Sequence, residues 1–255
     1  MLQFVTCVAG ERYQPLASVL LQSIKEVMPD SPVVVVFQDV AQFWRYQVSS
    51  NVPNAQLIAA TSPIDSRRQD ERIPLKLRSW RQACSYLDDE PATVFLDCDM
   101  VLVTPIPSCT FWGHRWDIGY TYKTHECEGL KWPINTGTIL SQLPPALTNR
   151  FLVAWLMRTH RHLISDETLR KAIEGWGAAD QAALGDMLGT RNRAAYAGII
   201  DRQGVRFKGF PCYKLNQTAC EPITEENQII HYKGSWHKIL LDGGSWSRGR
   251  PVDGV

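Results

Sequence analysis

The chain has 255 residues, 44% hydrophobic and 21% charged, with a formal net charge of +1. That is the composition of a soluble globular protein with room for one large domain or two small ones. The near-neutral balance gives no electrostatic reason to expect broad nucleic-acid or membrane-surface binding.

Gln3 to Val8 is a short apolar run broken at Gly10, which predicts a strand. From Pro15 to Val27 the apolar residues Leu16, Val19, Leu20 and Ile24 recur at helical spacing, with the proline near the first turn. Pro29 to Pro32 reads as a turn, and Val33 to Phe37 as a continuous apolar strand of the kind covered on both faces. Asp39 to Ser50 predicts a helix, Gln56 to Ala60 a weak strand, Leu75 to Leu87 a helix and Thr93 to Leu96 a strand. Such alternation implies an α/β fold with a Rossmann-like, mostly parallel sheet, in which ligands bind beyond the carboxyl ends of the strands. The second half is less regular. Asp117 to Thr121 and Thr138 to Leu140 predict short strands, Leu147 to Leu156 and Gly177 to Leu188 helices, and Ile229 to Tyr232 a late strand. The apolar face of the helix at 147–156 fits core packing better than a membrane surface. No linker or repeat divides the chain, so residues 1–242 read as one domain, followed by a flexible Gly-, Ser- and Arg-rich tail over 243–255.

Seven cysteines, Cys7, Cys84, Cys98, Cys109, Cys127, Cys212 and Cys220, make an odd count without a CxxC pair. No secretory signal precedes the first strand-like run, and no apolar stretch is long enough to cross a bilayer. The expectation is a cytoplasmic protein with mostly free thiols.

One stretch carries chemistry on its face. In "TVFLDCDMVLV", from Thr93 to Val103, two carboxylates interrupt an apolar run one residue apart. In an extended chain Asp97 and Asp99 face the same side. Two carboxylates that close share a proton or a cation, and a divalent ion with phosphate oxygens as its other ligands is the usual partner. A solvated strand end with two unrelated acids is the alternative. Cys98 between them reads as a small strand residue facing away.

The apolar strand ending in Asp-x-Asp resembles the DxD segment of GT-A-fold glycosyltransferases, and most of all the retaining family 8 group of glycogenin-like and bacterial galactosyl- and glucosyltransferases. The resemblance implies a GT-A nucleotide-diphospho-sugar transferase fold. It assigns Asp99 as a ligand of Mn²⁺ (or Mg²⁺), and Asp97 to the donor ribose and the ion. "FVTCVAGERYQPLASVLLQSI" resembles the family's first strand and helix, which implies nucleobase contacts at Ala9, Gly10 and Tyr13. "PINTGTIL" resembles its Asn-x-Gly segment and places Asn135 and Gly137 near the donor sugar. "GAADQAAL" resembles its Asp-Gln helix start, giving Asp180 and Gln181. "IIHYKGSWHK" resembles the late His-x-x-Gly-x-x-Lys motif, giving His231 as a metal ligand and Gly234 at the donor. Here the chain departs from the pattern: His237 stands where the family has lysine and Lys238 follows, so the diphosphate contact falls to one of these two.

Each assignment has a plainer counterpart. His231 alone would be a half-buried strand histidine, Gly234 a turn glycine, and Asp180 an N-cap. Lys76, in "RIPLKLRSW", is either a surface lysine on an amphipathic helix or a cation for the diphosphate, with Arg72, Arg78 and Arg81 as competitors. Trp132, Trp176 and Trp236 lie near the site segments, where they line a sugar or simply pack.

The function expected from these segments is hexose transfer from a nucleotide-diphosphate sugar, a UDP-sugar by resemblance, to an unidentified acceptor. Retention is favoured. An inverting enzyme would need a carboxylate base, Asp117 or Asp180. Three rivals stand beside it. A phosphohydrolase of the haloacid dehalogenase type also uses Asp-x-Asp after a strand, but opens its first strand with it. A non-catalytic nucleotide-sugar-binding module and a sugar-1-phosphate nucleotidyltransferase share the fold; the latter's Gly-, Arg- and Lys-bearing first loop has only a trace in "CVAGERYQPLAS".

Overall fold

Four buried β-branched residues in a row, Val33 to Val36, open the second strand of the protein. Their stiff side chains favour extended backbone, and cover on both faces removes the need for polar alternation. The first half repeats this strand–helix unit: β1 (Leu2–Ala9), α1 (Gln14–Val27), β2 (Val33–Gln38), α2 (Gln42–Asn51), β3 (Ala55–Ala59), α3 (Gln69–Ala83) and β4 (Ala92–Leu96). β1 pairs in parallel with β2 and with β4, and β2 with β3. The computed structural model describes residues 2–61, 69–89, 92–111, 115–124, 133–165, 179–190, 193–218, 224, 226–232, 246–247 and 250–251, without the side chains of 69–73, 165, 193, 218, 246–247 and 250–251.

The second half completes the sheet and adds a small one. Its elements are β5 (Met100–Leu102), β6 (Ile118–Tyr122), β7 (Ile134–Ser141), α4 (Pro145–Ser165), α5 (Ala179–Leu188), α6 (Arg193–Tyr196), β8 (Ile199–Arg202), β9 (Val205–Pro211), α7 (Cys212–Leu215), β10 (Gln217–Thr218), β11 (Ile229–His231), β12 (Trp246–Ser247) and β13 (Arg250–Pro251). The eight-stranded sheet runs β3-β2-β1-β4-β7-β6-β9-β8. β7 is antiparallel to both of its neighbours, and β6 pairs in parallel with β9. β5 leaves the large sheet for a three-stranded one, ordered β10-β11-β5. β12 and β13 pair antiparallel inside the Gly- and Ser-rich C-terminal stretch.

Alternate strand residues feed two cores. Val34, Val36 and Phe95 pack with Trp80 of α3 and Phe151, Leu152 and Trp155 of α4. Val33, Val35 and Val94 pack on the other face with Leu20 and Leu21 of α1 and Trp44 of α2. The apolar face of α4 is thus spent on the core. No described helix is long and apolar enough to cross a membrane.

Of the elements that differ from their sequence expectation, three bear on the site. α3 starts at Gln69 instead of Leu75 and runs through Pro74, which costs one main-chain hydrogen bond and does not end the helix. The strand expected at 138–140 extends back to Ile134. The run from Thr93 to Val103 is two strands, with a turn at Cys98–Asp99.

Candidate functional site

That turn builds the site. Asp97 follows the carboxyl end of β4, at the edge where parallel sheets bind ligands. The backbone is not extended through Cys98, so side-chain alternation is not what brings the two carboxylates together. The chain reverses at Cys98–Asp99 and restarts as β5, which pairs antiparallel with β11 in a register that sets His231 opposite Met100. The Tyr232 N–H donates to the Asp99 carbonyl at 2.9 Å, and the Asp97 N–H to the Gly137 carbonyl at 2.9 Å. One side-chain atom each from Asp97, Asp99 and His231 lie within 4.8 Å of one another. His231 Nε2 is 3.1 Å from Asp99 Oδ1.

His231 is 2% exposed. Its Nδ1 lies 2.8 Å from Asn216 Oδ1, just after α7. The ring also sits on Gly137: a Cβ there would meet the ring at 2.8 Å and collide with the Met100 methyl. Gly137 and Asn135 therefore adjoin the acidic group by way of the imidazole. Asn135 Oδ1 accepts from the Gly137 N–H at 3.1 Å, and its Nδ2 donates to Asn216 at 3.3 Å.

Lys76 projects from α3 into the acidic group. Its Nζ is 2.8 Å from Asp180 Oδ2 and 3.3 Å from Asp97 Oδ1, and 5.1 Å from the Trp80 ring centroid. Burial pushes its pKa down, but the charges of Asp180 and Asp97 outweigh burial and hold it above the ordinary lysine value. It is thus no surface lysine. Asp180, in the first turn of α5, accepts from Thr136 Oγ1 at 2.6 Å and from the Gln181 N–H at 3.0 Å. Gln181 is half-buried, and its side-chain amide has no hydrogen bond among the described residues. Two thiols border the acids: burial first, then the Asp97 charge, pushes Cys7 up to about 12, and burial with Asp99 raises Cys98. Burial and the neighbouring carboxylates favour the protonated form of both.

Ala9 ends β1 at the same edge. Gly10 follows with φ of 84°, a backbone region that suits glycine, and its N–H donates to the Gln38 carbonyl at 2.9 Å. Tyr13 is half-buried, with the Arg12 guanidinium 5.4 Å from its ring centroid. Gly234, His237 and Lys238 lie outside the described residues, as do Trp132, Trp176, Trp236 and the Arg72 side chain. Asp117 is away from this group. It precedes β6 at the opposite edge of the sheet and is held by Arg206 at 2.8 Å. A cavity of about 470 Å³ on α3, lined by Leu75, Arg78, Ser79, Arg81 and Asn149 among others, contains none of the acidic group. Thr136 and Asn216 were not picked out by sequence. Thr136 stands inside "PINTGTIL" and was within reach, whereas nothing in "KLNQT" marks Asn216.

No protein-family model matches the chain, and no curated protein does so significantly. Solved structures do match. The glycosyltransferase GlyE of Streptococcus pneumoniae TIGR4 has a TM-score of 0.58 at 12% identity, over 95% of this chain and 60% of its own. A glycosyltransferase involved in the glycosylation of the major capsid of PBCV-1 has 0.56 at 9% identity, over 95% of this chain and 100% of its own. The galactosyltransferase LgtC, solved with donor and acceptor sugar analogues, has 0.50 at 13% identity, over 91% of this chain and 87% of its own. This chain has the GT-A glycosyltransferase fold. It spans three fifths of GlyE and the whole of the capsid-modifying protein.

Within this GT-A fold the acidic group has the donor set of a divalent-cation site. Two carboxylates and one imidazole converge, and Lys76 contacts one of the two motif carboxylates, Asp97. Hard oxygen ligands with one nitrogen are compatible with such an ion.

Proposed function

We propose that the chain is a metal-dependent glycosyltransferase that moves a hexose from a UDP-sugar to an acceptor with retention of configuration. The observation that carries this is the convergence of Asp97, Asp99 and His231 at the carboxyl edge of a glycosyltransferase sheet. Asp97, Asp99 and His231 would hold the cation, and the imidazole favours Mn²⁺ over Mg²⁺. Once bound, the ion would supply positive charge against the leaving diphosphate. Ala9, Gly10 and Tyr13, at and after the end of β1, would take the nucleobase. Lys76 organises Asp97 and Asp180 from within. Asp180 would accept from sugar hydroxyls, with the Gln181 amide beside the anomeric carbon. Gly234 and Lys238 are assigned to the diphosphate side on sequence alone.

In the transfer, the bond from the anomeric carbon to the phosphate oxygen breaks and a bond to the acceptor hydroxyl oxygen forms on the same face. The acceptor proton goes to the departing phosphate oxygen, so no strong protein base is required. Asp117, held by Arg206 at the far edge, is poorly placed to serve as one. Residues 1–242 form the transferase domain in this reading, and 243–255 a tail. The site of action is the cytoplasm.

The test is a screen of nucleotide sugars for nucleotide release with and without Mn²⁺. One donor should be hydrolysed in its presence, and Asp99→Asn should abolish the release. Turnover that ignores metal would overturn the proposal. Binding of a donor with no turnover in any acceptor mixture would favour a binding module instead. A phosphohydrolase would trap phosphate on Asp97, whose Oδ1 is already held by Lys76.

A further inference from the structure

Burying an amide side chain is costly unless each of its polar atoms is bonded. Asn216 is fully buried, and Asn135 is 2% exposed. Their bonds form a closed set with one possible direction. It starts at the Gly137 N–H, which is a donor without ambiguity and points at Asn135 Oδ1, 3.1 Å away. The other end of that amide is therefore the Nδ2 donor, and it faces Asn216 at 3.3 Å. The atom it faces must be the Asn216 oxygen. The Asn216 nitrogen then donates to Thr121 Oγ1 at 3.0 Å, and that hydroxyl donates to the Asn135 carbonyl at 2.7 Å. His231 Nδ1, 2.8 Å from the same Asn216 oxygen, can only be a donor.

We infer that Asn216 is a positioning residue that keeps a proton on His231 Nδ1, so that Nε2, which faces Asp99 Oδ1 at 3.1 Å, is the nitrogen left for a cation; in its absence a proton on Nε2 takes the cation's place. The inference rests on the cation site proposed above and extends it one layer outward. A ligand histidine offers one nitrogen to a metal, and the bond at the other nitrogen decides which. Here that bond comes from a residue fixed by three others: Asn135, Thr121 and, through Asn135, Gly137. Gly137 also seats the ring, since a Cβ at that position would strike His231 and Met100. The "NTG" segment resembles a sugar-contacting motif. In this chain its two outer residues are committed to orienting the imidazole, and its middle residue, Thr136, bonds Asp180.

The experiment uses metal-free protein labelled with ¹⁵N-histidine, with the His231→Gln spectrum identifying the His231 signals. Two-bond ¹H–¹⁵N correlation should show a proton on His231 Nδ1 in wild type, whether or not Nε2 also carries one toward Asp99. A ring protonated on Nε2 alone would overturn the inference without any variant. Asn216→Leu should release the ring to a mixture of tautomers and weaken Mn²⁺ binding, read by electron paramagnetic resonance, by about 10–100-fold. Asn216→Asp keeps the acceptor, so its ring should stay Nδ1–H and its Mn²⁺ affinity should stay within a few-fold of wild type. Thermal unfolding checks that each variant is folded. A folded Asn216→Leu with unchanged tautomer and affinity, or an Asn216→Asp that fails as badly as leucine, would also overturn it. If wild type binds no Mn²⁺ at all, the cation reading fails, while the tautomer measurement still decides the role of Asn216.

Discussion

Among the described residues Lys76 is the one cation that touches two acids of the site, Asp97 and Asp180. Burial opposes its charge, the two carboxylates support it, and the pKa is raised. A group raised in this way stabilises the fold in full below the ordinary lysine value of about 10.4, and the contribution is lost as pH rises past that. At pH 7 it is all present. Lys76→Met would leave Asp180, whose side chain is 3% exposed, without its cation. The expected cost is about 3–5 kcal/mol by urea unfolding, the range for breaking one side of a buried pair; a loss under about 1 kcal/mol would show that Lys76 does not hold these carboxylates. Gly137→Ala is argued on space alone. The added methyl must displace either Met100 or the His231 ring. Overpacking of this kind costs roughly 1–3 kcal/mol, and Mn²⁺ affinity should fall with it; a variant of wild-type stability and affinity would place the ring elsewhere. The residue types were legible in sequence, since acids, imidazole and lysine declare their chemistry. Their partners were not. Lys76 could be drawn from "RIPLKLRSW" equally as surface or as site, because only the packing of α3 on the sheet and beside α5, within reach of Asp97 and Asp180, decides it.

At the scale of elements, polar side chains misled where they turn inward. β7 is buried along its whole length although it reads Ile-Asn-Thr-Gly-Thr-Ile-Leu-Ser. Its hydroxyls are satisfied by the fold: Thr138 donates to the Leu215 carbonyl at 2.7 Å, and Ser141 and Thr148 share a bond of 2.7 Å. An apolar-pattern reading finds only its Ile139–Leu140 end. β8 and β9 escape for the opposite reason. β8 is an edge strand with Ile199, Asp201 and Arg202 exposed, and β9 is half-buried with Gly209 and Pro211 within it. The parallel strands β1, β2 and β4 were legible because burial on both faces leaves continuous apolar runs, whereas β3, at the sheet's edge, reads only as a weak strand. The β6–β9 edge is pinned by Asp117, which takes the Arg206 N–H at 2.8 Å and its guanidinium at 2.8 and 3.2 Å. Burial alone would raise the Asp117 pKa; the Arg206 hydrogen bonds and charge lower it on balance. A lowered carboxylate stabilises the fold above the ordinary aspartate value of about 3.9, and the effect fades as pH falls through the folded value. Asp117→Asn should therefore melt roughly 2–4 °C below wild type at pH 7, and the two curves should converge as pH drops below about 3.9. A gap that persists in acid would mean that the pair is not what Asp117 contributes.

Over the whole molecule, the site depends on two sheets meeting. Asp97 ends a strand of the large sheet, while Asp99 and His231 are fixed by the register of β5 on β11 in the small one. Between them the chain passes through β6, β7, α4, α5 and β9, and it returns by way of α7, whose end supplies Asn216. No local pattern reports that return. A late histidine after two isoleucines could be tied to the acidic pair in sequence only by the order of its motifs. A cation held by both sheets would bind the folded chain and not the unfolded one, so it must stabilise the fold by linkage. At a Mn²⁺ concentration of 100 times the dissociation constant the gain is about 2.7 kcal/mol. For a chain of 255 residues that corresponds to a rise of roughly 5–10 °C in Tm. His231→Ala and Asp99→Asn should each abolish the rise, one from either side of the β5–β11 pair. Asp117→Asn, at the far edge, should keep it. A rise that survives both site variants would put the ion elsewhere, and no rise in wild type would separate the two sheets' acids and imidazole from metal altogether.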